Sequence, residues 1–165
     1  MSDNTRRQLL FAVGDHLFAA DARAVREIVE PGLTATPIPG AIPAVRGLIN
    51  LRGTLLVAGN LAALLDLSPR PSDPALVVFE HEARQVALEV DRVVDVTSLP
   101  LDAIDNEEDG QLPMPLAGRS VVCGAGQYDS RPYFQLDVRQ LFGLVLEEQE
   151  RGASETDKSD GGAGR

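Results

Sequence analysis

GLINLRGTLLVAGNLAALL (residues 47–65) and GAGQYDSRPYFQLDVRQLF (residues 124–142) carry one pattern twice. A shift of 77 positions sets Gly47 on Gly124, Leu56 on Tyr133, Val57 on Phe134, Asn60 on Asp137, Leu64 on Leu141 and Leu65 on Phe142, without a gap. Further upstream, a shift of 68 sets Phe18, Ala20, Val25 and Ile28 on Val86, Leu88, Val93 and Val96, which reads as a strand followed by a one-turn helix. The nine extra positions fit a longer proline-bearing loop around Leu99 to Arg119. A period this long is not that of a solenoid. It suggests two related β units, each ending in a short capped helix, with chance similarity of two amphipathic β segments as the competing explanation. Two small barrels closing on each other would remove free strand edges and pool a core that neither holds alone.

The rest of the chain agrees with a mainly β fold. Apolar stretches are short and broken every ~8–12 residues by Gly, Pro or Asp clusters, the rhythm of small antiparallel sheets. Leu9 to Val13, Leu17 to Ala20, Gly47 to Leu51, Leu55 to Val57, Leu76 to Phe79, Val86 to Val90 and Tyr133 to Leu136 are expected strands. The clearest alternation is Val86, Leu88 and Val90, with Glu89 pointing away. Three short helices are expected: Ala22 to Val29 capped by Asp21, Leu61 to Leu67 capped by Asn60, and Val138 to Phe142 capped by Asp137 and stopped by Gly143. Residues 8–146 are expected to form the ordered domain. Residues 147–165, with six acids, three bases, four glycines and no large apolar residue, read as a disordered tail, and the first seven residues as frayed.

Composition narrows the function. The 165 residues allow one domain or two closely joined subdomains, and seven aromatics (five Phe, two Tyr, no Trp) leave packing to Leu, Val, Ile and Ala. A formal charge of −10 has the wrong sign for nucleic acid or anionic lipid. The only lysine is Lys158, in the polar tail, so neither a Schiff-base nor a phosphate-loop lysine is available. A single cysteine, Cys123, and a polar start point to a reducing cytoplasm, and no apolar run approaches the ~20 residues that insert into a bilayer.

No catalytic, cofactor or metal constellation is readable. His16 and His81 stand alone. Gly124-Ala125-Gly126 lacks the third glycine of a dinucleotide fingerprint and reads as a tight strand junction, and Cys123 as a packed thiol. Asp105-Asn106-Glu107-Glu108-Asp109-Gly110 matches the first half of a calcium loop, but Pro113 and Leu116 occupy its ninth and twelfth positions, which favours a solvated acidic loop. Binding rather than catalysis is the expected task.

Pro37-Ile-Pro-Gly-Ala-Ile-Pro-Ala-Val-Arg-Gly-Leu-Ile-Asn-Leu-Arg-Gly53 is a proline-stiffened approach to a strand bounded by Gly47 and Gly53, with Asn50 and Arg52 just before the turn. This run resembles the CheW-like adaptor domains of bacterial chemosensory systems, whose hallmark is a Gly-x-x-Asn-Leu-Arg-Gly hairpin after a proline-containing loop. FAVGDHLFAADARAVREI (residues 11–28) is similar to the family's opening hairpin and Val-x-Glu-Ile turn. Residues 75–96, ending VALEVDRVVDV, are similar to its Val-Asp-x-Val segment, and residues 135–144 to its closing strand and helix. Two departures stand out: Leu55-Leu-Val-Ala-Gly-Asn-Leu61 lacks the proline and the Asp-Leu that usually follow the motif, and Arg131-Pro132 limits pairing in the second half.

The resemblance implies two intertwined SH3-like five-stranded β-barrels. It also implies a non-enzymatic adaptor, without cofactor, that joins the cytoplasmic tip of a chemoreceptor to the regulatory domain of the histidine kinase CheA by a helix-in-groove contact. Val25 and Glu27 would face the kinase; Asn50, Arg52 and Gly53 would face the receptor. Two other readings stay open. One is a divergent accessory module that binds a single partner in a motility or other non-flagellar pathway; the other is a small enzyme or ligand-binding barrel using the acidic loop and Gly124 to Gly126.

Overall fold

Paired strands joined by tight turns build the molecule, and the turns depend on left-handed backbone. Arg52-Gly53, Glu82-Ala83 and Asp129-Ser130 each place two residues at positive φ, the geometry whose twist matches flanking antiparallel strands. The computed structural model describes residues 5–100 and 121–146. Among them lie strands β1 (Thr5–Val13), β2 (His16–Asp21), β3 (Val25–Val29), β4 (Val45–Leu51), β5 (Thr54–Asn60), β6 (Ala75–His81), β7 (Arg84–Val90), β8 (Arg92–Pro100), β9 (Val122–Tyr128) and β10 (Arg131–Leu136). Helix α1 is Leu61–Leu64, and residues 138–146 form α2.

The strands make two five-stranded sheets, β8-β1-β2-β10-β9 (barrel A) and β3-β6-β7-β5-β4 (barrel B). Each barrel takes strands from both halves of the chain, and the two orders interconvert when each strand is replaced by its counterpart in the other half. The shifts of 68 and 77 positions hold at the level of register. Val57 lies opposite Val86 in the parallel β5–β7 ladder, and Phe134 opposite Phe18 in the parallel β10–β2 ladder. Closure repeats as well: the Asn60 amide donates to the Ala44 carbonyl at 2.9 Å, as that of Asp137 does to Val121 at 2.7 Å.

Alternation sorts the side chains into three cores. Leu9, Phe11 and Val13 of β1 join Phe18, Val77, Phe79, Val86, Leu88 and Val90 in a core shared between the barrels, roofed by Leu61, Leu65, Leu141 and Phe142. The opposite faces fill each barrel, with Leu10, Leu17, Ala19, Leu99 and Tyr133 in A, and Ile49, Leu56, Ala58, Leu76, Val78 and Ala87 in B. Strands buried on both faces explain why so few of them alternate cleanly in sequence. Buried aliphatic and Phe side chains contribute roughly 1.5–3 kcal/mol each, so the shared core dominates stability.

Several expectations need correction. The helix expected over Ala22 to Val29 is a 3-10 turn, Ala22–Ala24, followed by strand β3, because Val25, Ile28 and Val29 gain a ladder with β6 that a one-turn helix lacks. The counterpart stretch with Val93 and Val96 is likewise strand, in β8. The helix begun at Leu61 ends at Leu64, whereas α2 runs through Gly143 to residue 146. Gly124 to Gly126 lie inside β9 rather than at a junction; a Cβ on Gly126 would come 2.5 Å from the Tyr133 hydroxyl, so this glycine makes room for that ring. Thr5 to Arg7 are not frayed, since β8 continues far enough to pair with them, Thr5 opposite Pro100. Gly59 does not weaken β5: it lets the Ala44 carbonyl approach, where a Cβ would meet it at 2.8 Å. Asn60 keeps the cap, its Oδ1 accepting from the Ala63 amide at 3.0 Å. The acidic loop at 105–110, the proline-bearing loop from residue 101 onward and the tail from residue 147 lie outside the described residues.

Gly47 has φ +138, and a Cβ there would sit 2.0 Å from the Thr36 carbonyl oxygen, whose residue pairs with Leu48 through two 2.8 Å bonds. Gly47→Ala is expected to cost at least about 3 kcal/mol, and Gly53→Ala, where nothing lies within 4 Å, about 1 kcal/mol, as read by urea denaturation of the two variants.

Candidate partner-binding face

The residues singled out by the hairpin motif meet at one corner of barrel B. Asp21 starts that corner: its carboxylate accepts from the Arg23 amide at 2.9 Å and pairs with Arg23 at 2.9 Å and Arg6 at 3.1 Å, fixing the 3-10 turn from which β3 emerges. Along β3, Val25 packs partly against the shared core, Arg26 pairs with Glu80 at 3.3 Å, and Ile28 is 41% exposed.

At the other side of the corner stands the β4–β5 turn. Asn50 Oδ1 accepts from the Gly53 amide at 2.8 Å, so its side chain is spent on shaping the turn. That holds Arg52 at φ +52 with its side chain 73% exposed. Arg52 reaches Glu27 on β3, with Nη2 2.7 Å from Oε2. The sequence reading set Glu27 and Arg52 on faces for different partners; the fold joins them in one ion pair. β3 and β4 are the two edge strands of barrel B, so this pair also spans the seam where the barrel closes. Leu55, paired across from Asn50, is 66% exposed beside the turn.

Barrel A has the counterpart corner with different chemistry. Asp95 stands where Glu27 does and accepts from the Tyr128 hydroxyl at 2.5 Å, again linking the edge strands, here β8 and β9. That bond and burial raise the Tyr128 phenol above its usual range. Asp129 occupies the position of Arg52, and Val96, 42% exposed, that of Ile28. The two corners share a frame and differ in sign of charge at the turn.

The exposed Ile28 and Leu55 escaped the sequence reading. Read as a strand, Val25-Arg-Glu-Ile-Val29 puts Arg26 and Ile28 on one outward face, and that alternation was the available signal. No group of three or more metal-ligating side chains occurs among the described residues, and none of their helices is long and apolar enough to cross a membrane.

A family model of the CheW-like domain matches residues 7–145. The chain belongs to the CheW-like domain family. Among curated relatives, the chemotaxis protein CheW of Rhizobium meliloti is 36% identical over 104 residues, 60% of this chain. A probable chemotaxis protein CheW of Rhizobium etli is 34% identical over 104 residues, and the chemotaxis protein CheW of Thermotoga maritima 29% over 98. The match spans 64% of the length of each of these relatives. The fold is also that of the scaffolding protein TtCheW from Thermoanaerobacter tengcongensis, with a TM-score of 0.68 at 22% identity over 80% of this chain and 88% of that one. The CheW-like family is one of chemotaxis scaffold and adaptor proteins rather than enzymes.

Two predictions follow from the corner. The exposed Glu27–Arg52 pair contributes at most about 1 kcal/mol, so Arg52→Glu should remain folded, with a urea midpoint close to the parent's. For Asp21, burial pushes the carboxyl up, but the Arg23 hydrogen bonds and the charges of Arg23 and Arg6 outweigh it and hold it below its ordinary value. Its contribution is therefore complete above the unfolded value of about 3.9 and fades as pH falls through the lower folded value. Asp21→Asn should be less stable than the parent at neutral pH, with the gap closing in acid, as urea midpoints at several pH values would record.

Proposed function

We propose that this CheW-like protein couples a chemoreceptor's cytoplasmic tip to the regulatory domain of the histidine kinase CheA, working on the cytoplasmic side of the membrane. Family membership supports the adaptor role. The observation that carries the reading is the Glu27–Arg52 ion pair, which ties β3, with Val25 and Glu27 assigned to the kinase, to the β4–β5 turn, with Asn50, Arg52 and Gly53 assigned to the receptor. Movement of one element is felt by the other through that bond. Arg52 offers a mostly exposed cation to an acidic side chain of a helical hairpin, and Leu55 offers apolar area beside it.

The same bond favours a second reading. Because the two contact sets share one corner, a partner that recruits Arg52 leaves Glu27 unpaired and alters the other surface. An accessory module that holds one partner at a time fits that geometry. The departures at Gly59 and Asn60 do not favour it, since both residues serve the local fold.

The deciding experiment measures binding of the folded protein to the CheA regulatory domain and to a receptor cytoplasmic fragment, separately and together, with Arg52→Glu, Val25→Glu and the charge swap Glu27→Arg/Arg52→Glu. A coupling adaptor gives a ternary complex, and Arg52→Glu weakens receptor binding at least about tenfold, equivalent to about 1.4 kcal/mol. The swap rebuilds the internal pair but not a bond to a partner's acid, so receptor binding stays weak. Restoration by the swap would mean that Arg52 acts only by holding Glu27. Binding of either partner to the exclusion of the other would establish the accessory module instead.

A further inference from the structure

Four of the eight strand ladders join one half of the chain to the other: β1 with β8, β2 with β10, β3 with β6 and β5 with β7. The shared core mixes both halves in the same way. None of these contacts requires the halves to belong to one polypeptide. They require only that the connection between α1 and β6 turn back on itself.

That connection, SPRPSDP (residues 68–74), carries three prolines, whose fixed φ favours an extended path. Its backbone bonds converge on Asp91, and the Arg70 side chain also pairs with Asp15 at 2.8 Å. Asp91 Oδ2 accepts from the Arg70 amide at 2.6 Å and from the Gly14 amide at 2.7 Å. The Asp91 carbonyl accepts from Ser72 at 3.3 Å and Asp73 at 3.2 Å, and its own amide donates to Ala12 at 3.0 Å. Gly14 lets the linker pass close, since a Cβ there would lie 3.0 Å from the Ser68 carbonyl. Asp91 is 6% exposed and sits where the chain leaves barrel B at β7 for barrel A at β8. The Val-Asp-x-Val segment thus contains the clasp of the inter-half linker.

We propose that residues 68–74 are an exchange hinge, and that Asp91 holds them where the two halves pair within one chain. With the clasp released or the linker shortened, a second copy of this chain supplies the missing half: β6–β10 of one copy complete β1–β5 of the other, and reciprocally. Such a dimer is closed and two-fold symmetric, repeats every ladder and core contact, and differs from the monomer only at the linker and in its dependence on concentration. It would carry two complete barrel pairs, and so two copies of each corner, in one particle.

The test uses the full-length chain, Asp91→Ala, and a variant lacking residues 70–73. Each is unfolded in urea, refolded at low and high protein concentration, and sized by light scattering. The dimer fraction at high concentration is expected to rise at least about tenfold in Asp91→Ala over the parent, and the shortened chain to be mainly dimeric. Tagged and untagged copies should form mixed dimers when refolded together and none when mixed already folded. An unchanged dimer fraction in Asp91→Ala, or a shortened chain that stays a folded monomer at high concentration, would overturn the proposal, as would dimers that trade partners on simple mixing. If Asp91→Ala does not fold, the shortened chain, which keeps the aspartate, decides alone.

Discussion

Two short parallel ladders hold this molecule in its shape. Val57 to Asn60 run beside Val86 to Glu89, and Tyr133 to Gln135 beside Leu17 to Ala19. A parallel pair needs a long crossover: between β2 and β10 it contains the whole of barrel B, and between β5 and β7 it runs through α1, the proline linker and β6. The helices at the ends of β5 and β10 then lie over the shared core, and each follows the hairpin that carries its barrel's corner. The position of Arg52 thus descends from a backbone constraint far from it.

Duplication made much of this legible. The gap-free match from Gly47 to Leu65 against Gly124 to Phe142 located β4, β5 and α1 on β9, β10 and α2, even though β9 itself was not read as a strand. What failed was short-range inference at β3 and β8. Asp21 is a true cap, and its helix signal is strong, but a strand partner about fifty residues away outweighed it at β3. Propensity decides little once a five-residue segment finds a strand to pair with. Gly59 misled for a related reason: the oxygen it accommodates belongs to Ala44, and no local pattern announces a close approach.

At the corner, the hairpin motif identified the residues but not their relation. Glu27 and Arg52 lie 25 positions apart and become partners only because one sheet curls to bring its edge strand β3 beside the turn that follows its other edge, β4. Their counterparts differ chemically, with the Asp95–Tyr128 hydrogen bond doing the same mechanical task without an exposed cation. Duplication thus supplied one architecture for two corners, and substitution separated what each can attract. A ligand chosen for its acid meets Arg52 at one and Asp129 at the other, so discrimination comes as much from repulsion as from attraction.

The pairing of β1 with β8 also bears on how the chain is made. Thr5 leaves the ribosome well before its neighbour Pro100 is made. Until then the outer edge of β1 has no strand beside it, and β2 waits longer still for β10. Neither barrel can be finished by the first half of the polypeptide alone. Synthesis therefore passes through a stage in which an apolar hairpin, Leu9 to Ala20, is exposed without its cover, the stage at which a nascent chain is open to chaperones and to mispairing.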